Sequence, residues 1–101
     1  MSSTIPALGV YALRPHGKLD APAAAALVAM VGGELARDEP RRIVIDLRAV
    51  RSISQSGIAA LVACRRRAVR ADTALELQCA PGRALALLEE SGLHRVFDIR
   101  T

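Results

Sequence analysis

Two serines flank a glutamine in Ser54-Gln55-Ser56-Gly57, directly after Ile53. A hydroxyl on a turn that opens a helix is a candidate nucleophile. That role needs a strained elbow of the Gly-x-Ser-x-Gly type, and Ser56 lacks the pattern. His16 and His94 have no nucleophile beside them in sequence, and a Ser/His/Asp set can be drawn from distant residues in any chain. Cys64 and Cys79 are too few and too widely spaced for a metal centre. They are expected to be reduced, buried and to act as small hydrophobes. No glycine-rich phosphate loop is present. These residue types point away from catalysis, a cofactor or a metal. What remains for the turn is recognition: the free N–H groups of the helix it opens attract anions, such as an acidic side chain of a partner.

Charge suggests the class of partner. The 101 residues carry a formal net charge of +4. Arg65, Arg66, Arg67 and Arg70 cluster in one predicted helix, either as a solvated face or as a surface that steers an acidic protein. Nucleic acid is disfavoured. Aromatics make up 2 % of the chain, and Tyr11 and Phe97 cannot build a stacking platform. No recognition motif accompanies the charge. The most apolar run, Ala21 to Val31, contains Pro22 and is too short to span a bilayer. The first residues lack a basic region followed by an apolar signal core. A cytoplasmic protein with no membrane insertion is expected.

The elements that must position the turn can be read from the pattern. Ile43-Val44-Ile45-Asp46-Leu47 is almost uninterrupted by polar residues, which predicts a central strand covered on both faces. Binding loops in open α/β sheets lie beyond the carboxyl ends of strands, and the turn at 54–57 follows such an end. A helix is predicted from about Gly57 to Arg70, with Ile58, Leu61, Val62 and Val69 inward and Arg66, Arg67 and Arg70 outward. Ala59 and Ala60 are small enough for close packing. Upstream, Met1 to Pro6 is expected to fray, and Leu8 to Leu13 to form a strand with a partner earlier in the chain. Arg14-Pro15-His16-Gly17 signals a turn. Asp20 caps an alanine-rich helix over Ala21 to Arg37, with Pro22 tolerated in its first turn. Asp38-Glu39-Pro40 breaks the chain. Downstream come a strand at Ala74 to Cys79, a helix opened by Pro81-Gly82 with Leu85 and Leu88 inward, a left-handed Gly92 at its end with Leu93 packing behind it, and a strand at Arg95 to Arg100. Strands alternating with helices make one α/β domain over residues 1–101, with four to five strands, a mostly parallel or mixed sheet and about three main helices.

In this order the chain resembles the STAS domain family, whose members include bacterial anti-sigma factor antagonists. The family pattern is an apolar strand ending in Asp-Leu, then Asp-Ser-Ser-Gly-Leu opening a helix, a strand, a helix ending in Gly-Leu, and a short strand with Val-Phe. Here Asp46-Leu47, Gly57-Ile58, Leu75-Glu76-Leu77, Leu87 to Leu93 and Arg95-Val96-Phe97 stand at similar spacing. Gly17-Lys18-Leu19-Asp20 resembles the Gly-x-Leu-Asp that opens the first helix. The likeness covers roughly residues 8–100. It implies a small STAS-like sandwich and a non-enzymatic interaction module that works by partner switching and needs no cofactor. Its partner would be an anti-sigma factor that is also a kinase, bound through Asp20, Ser54, Gln55, Ser56, Gly57 and Ala60. It also leaves open a cytosolic accessory subunit of an ABC transporter of the lipid type, whose partner is the ATPase.

The chain departs from the family in two places. Aligned on Ile53 and Gly57, the family's Asp falls on Ser54 and its phosphorylated Ser on Gln55, while its second Ser matches Ser56. Glutamine cannot accept phosphate, and it does not mimic the roughly −1.5 to −2 charge of phosphoserine. Three readings stand: a diverged loop kept for its turn geometry, a binding face fixed in the unphosphorylated state, or a switch shifted to Ser56 or Ser54. Second, a helix often follows the Phe-x-Ile strand, whereas here the sequence ends at Thr101, so that helix is expected to be shortened or absent. An apolar face left uncovered would call for a partner or a homodimer.

Overall fold

The computed structural model describes residues 2–4, 9–37 and 42–101. Its elements follow in the order β1 (Ser2–Thr4), β2 (Val10–Arg14), β3 (Gly17–Leu19), α1 (Ala21–Leu35), β4 (Arg42–Asp46), β5 (Val50–Ile53), α2 (Gln55–Arg70), β6 (Leu75–Gln78), α3 (Arg83–Glu90), a 3-10 turn at Leu93–Arg95, and β7 (Asp98–Arg100). The main sheet has the order β1-β2-β4-β6-β7. Its pairs are parallel except β1 with β2. β3 and β5 form a separate parallel pair.

β4 takes the central position because its side chains are apolar on both sides of the pleat. Ile43, Val44 and Ile45 are all buried. The register aligns Leu13 with Ile45, Ile43 with Leu75, and Leu77 with both Ile45 and Ile99. This row joins Leu27 and Val31 of α1, Leu61 and Cys64 of α2, and Leu88 of α3 in one core. Ile43, Ile45, Leu61, Leu77 and Leu88 are fully buried, each contributing roughly 1.5–3 kcal/mol.

On the other face of the sheet the buried Val44 lies among polar residues. Glu76 sits there between Arg42 and Arg100, paired with both. Asp46 pairs with Arg14 at 3.4 Å and Arg48 at 2.8 Å. The carboxylates are buried while the arginines stay about half exposed, laying their aliphatic stems over the sheet.

Several sequence expectations need correction. Ser2–Thr4, expected to fray, pairs antiparallel with β2. The neighbouring expectations at Leu8 and at Asp38-Glu39-Pro40 lie outside the described residues. Gly17–Leu19 forms a strand before the first helix, and the loop before Ser54 contains a second, because these two short segments pair with each other. Val69 does not join the inner face of α2 and is 61 % exposed. The last strand starts at Asp98 because Leu93–Arg95 closes a 3-10 turn first. Gly92 does adopt the left-handed conformation, with φ of 76°, and buries Leu93 behind it.

Candidate functional site

The turn is built by the small β3–β5 pair, which aligns Leu19 with Ile53. Beyond that pair the two segments are joined through one carbonyl. The backbone N–H of Ser54 donates to Leu19 O at 3.1 Å, and its hydroxyl donates to the same oxygen at 3.0 Å. Ser54 Oγ also accepts from the N–H of Gly57 at 3.1 Å, which makes Ser54 the N-cap of α2. Asp20, the residue after Leu19, is the N-cap of α1 and accepts from Ala23 N at 3.3 Å. Two long helices thus begin side by side, with Asp20 adjacent to the 54–57 turn.

Gly57 makes this approach possible. A Cβ there would stand 2.5 Å from Leu19 O and 2.8 Å from the Ile53 side chain. No other residue type permits so close a backbone approach without a shift. Gly57 is buried, and so is Ala60 one turn on. Both were expected among the partner-binding residues, and both are packed within the chain. Asp20, Ser54, Gln55 and Ser56 are exposed, as is Ala59. Gln55 and Ser56 occupy the first two positions of α2.

Asp46 anchors the turn that directly follows β4. Its Oδ1 accepts from the backbone N–H and from Nε of Arg48, both at 3.0 Å. The Arg48 guanidinium holds the Asp46 carboxyl below the usual carboxylate range, against burial, which pushes it up. Asp46 is thus a structural anchor that stays ionised. Both cysteines are free and buried, and burial pushes the Cys64 thiol up to about 11 and also raises Cys79. His16 and His94 are both exposed. Among the described residues no cluster of His, Cys, Asp and Glu is arranged to hold a metal, and no helix is long and apolar enough to cross a membrane.

Sequence reasoning found Ser54 to Gly57 and Asp20 but missed Leu19, whose carbonyl joins them. The signal was present in Gly17-Lys18-Leu19 and Val50-Arg51-Ser52-Ile53, each ending in a buried aliphatic residue. At three and four residues these runs are too short to declare a strand by periodicity.

Solved structures share this architecture. A Thermotoga maritima protein described as an anti-sigma factor antagonist superposes with a TM-score of 0.86, covering 99 % of this chain and 85 % of its own, at 20 % identity. An anti-sigma factor antagonist from Mycobacterium paratuberculosis gives 0.84, with 98 % and 84 % covered at 24 % identity. A sulfate transporter family protein from Wolinella succinogenes gives 0.82, with 96 % and 80 % covered at 19 % identity. No curated protein sequence matches at a significant level. The family model of the STAS domain matches residues 5–101, and with the fold in agreement the chain belongs to the STAS domain family.

Proposed function

We propose that the chain is a non-enzymatic interaction module of the anti-sigma factor antagonist kind, acting in the cytoplasm in bacterial transcription regulation by partner switching. It binds an anti-sigma factor through the exposed surface of Asp20, Ser54, Gln55 and Ser56. The observation that carries this reading is the joint at Leu19. It brings the two separate sequence signals onto one rigid surface at the starts of two helices. The antagonists among the similar structures support the same class.

The surface works in one state. Gln55 stands where the family carries its phosphoserine, so no phosphate enters at that position. Ser54 is a poor substitute, because its hydroxyl already donates to Leu19 O and accepts from Gly57 N. Ser56, exposed on the first turn of α2, is the remaining candidate acceptor. Incubation with the cognate anti-sigma kinase and ATP is expected to leave residues 54–56 unmodified by mass spectrometry. Stoichiometric phosphate on Ser56 would replace the fixed state with a shifted switch.

Affinity capture from the native host tests the function itself. Wild-type protein is expected to retain an anti-sigma factor, and Gln55→Glu to lose it, since an unpaired charge buried in an interface is costly. Equal retention by both proteins would remove the turn from the interface. Recovery of an ABC-transporter ATPase would favour the second reading, an accessory transporter subunit, for which the transporter family structure of the same fold is the supporting observation.

A further inference from the structure

At the opposite end of α2 the molecule has a second concave surface. The four parallel strands point their carboxyl ends toward the 54–57 turn, and α2 runs back from that turn to the start of β6. Its last turns therefore lie over the amino-terminal ends of β6 and β7. A cleft of about 490 Å3 opens there between Ala68 and Val69 of α2, Leu75 and Glu76 of β6, and Val96 and Arg100 at β7. A neighbouring groove of about 410 Å3 continues it past Val69 along Asp72, Thr73 and Ala74.

Two independent features mark this surface. The large hydrophobic side chains left exposed among the described residues are Val69 at 61 % and Val96 at 48 %, and both line the cleft. Exposed aliphatic residues scattered singly mean little, but two facing one hollow form a patch. The second feature is charge. Arg42 and Arg100 are balanced by Glu76 and Asp98, which also line the cleft. Arg65 is not neutralised: its Nε donates to the carbonyl of Val96 at 2.7 Å, bracing the cleft wall. Arg65, Arg66 and Arg70 make no ion pair among the described residues. The negative end of the helix accounts for arginines in its last turn, but not for valines held in water beside them.

We propose that this cleft docks an acidic segment of a partner protein carrying an aliphatic anchor. The anchor fills the hollow between Val69 and Val96, and flanking carboxylates meet Arg65 and the arginines beside it on α2. The continuing groove suits an extended segment better than a compact metabolite. Two valines in a site without aromatic rings suit a peptide better than nucleic-acid bases. The proposal does not depend on how the 54–57 turn is read.

The test is selection of a random peptide library displayed on phage against the full chain. The peptide recovered is then titrated into wild type and variants whose folding is checked by circular dichroism. Enriched peptides are expected to share an aliphatic residue flanked by aspartate or glutamate. Val69→Asp and Arg65→Glu are each expected to weaken binding by roughly tenfold or more, as is high salt. Gln55→Glu is expected to leave it unchanged. Val69 is exposed, so its variant keeps the fold, and Val96→Asp is a second probe from the facing wall. The proposal is overturned by no enrichment, by a consensus without carboxylates, by undiminished binding to folded Val69→Asp and Val96→Asp, or by loss of binding in Gln55→Glu alone.

Discussion

Ser54 and Gly57 divide the work of the turn between a side chain that bonds and a residue that has none. Ser54→Ala removes the cap of α2 and the hydroxyl bond to Leu19 O. Thermal or urea unfolding is expected to show a loss of about 0.5–2 kcal/mol. Gly57→Ala is expected to cost on the order of 1–3 kcal/mol, because the added methyl meets a backbone oxygen that cannot rotate away. If Gly57→Ala matches wild type, the close approach at Leu19 is wrong. Asp46 gives the pH counterpart. Its folded pKa lies below the ordinary value of 3.8, so the unfolded chain holds its proton more tightly. The stabilisation is therefore complete above that value and is lost as pH falls through the folded pKa. Acid titration of stability is expected to fall less steeply below about pH 4 in Asp46→Asn than in wild type. Identical slopes would mean that the Arg48 contact does not persist in solution.

Among the elements, β4 was legible because four apolar residues in five, Ile43, Val44, Ile45 and Leu47, state their own burial. β5 was not, because its partner β3 lies more than thirty residues upstream and neither segment is long enough to show alternation. Val69 was misplaced for another reason. Helical spacing assigns it to the inner face of α2, but the inner position in that turn is taken by the buried Ala68, and Val69 is left beside the cleft. Gly92 and Asp20 were legible for the opposite reason, since each follows from local backbone chemistry and needs no tertiary partner. Central placement of β4 can be tested directly. Ile45→Asp puts a carboxylate at a fully buried site, forfeiting roughly 1.5–3 kcal/mol of burial and adding the cost of a charge without a partner. Loss of the cooperative unfolding transition is expected. A stable, cooperative Ile45→Asp protein would contradict the register of the sheet.

On the scale of the whole molecule, the ordered sum of weak motifs was enough to place the family, and the departure at Gln55 could be located by aligning two residues. Which residues face outward was legible in part: Arg66, Arg67 and Arg70 are exposed and Leu61 is buried, as expected. Ala60 looked like an interface residue and is buried, and Val69 looked like core and is exposed. The outcome is a molecule with two candidate surfaces at the two ends of α2. Its 16 residues span about 24 Å at 1.5 Å per residue, too far for side chains at one end to touch a ligand at the other. The two surfaces should therefore act independently. Near the start of α2, the charge of Gln55→Glu is expected to be neutral or to stabilise the fold by about 0.3–1 kcal/mol, while the captured partner is lost. Val69→Asp should remove only the acidic peptide. In the double variant, the changes in stability should add within about 0.5 kcal/mol, as for sites without shared contacts. Saturating the turn with its partner should leave the peptide affinity within about twofold. A larger change would mean that the two ends are coupled through α2, or that both ligands compete for one surface. Competition would be told apart by Gln55→Glu weakening both.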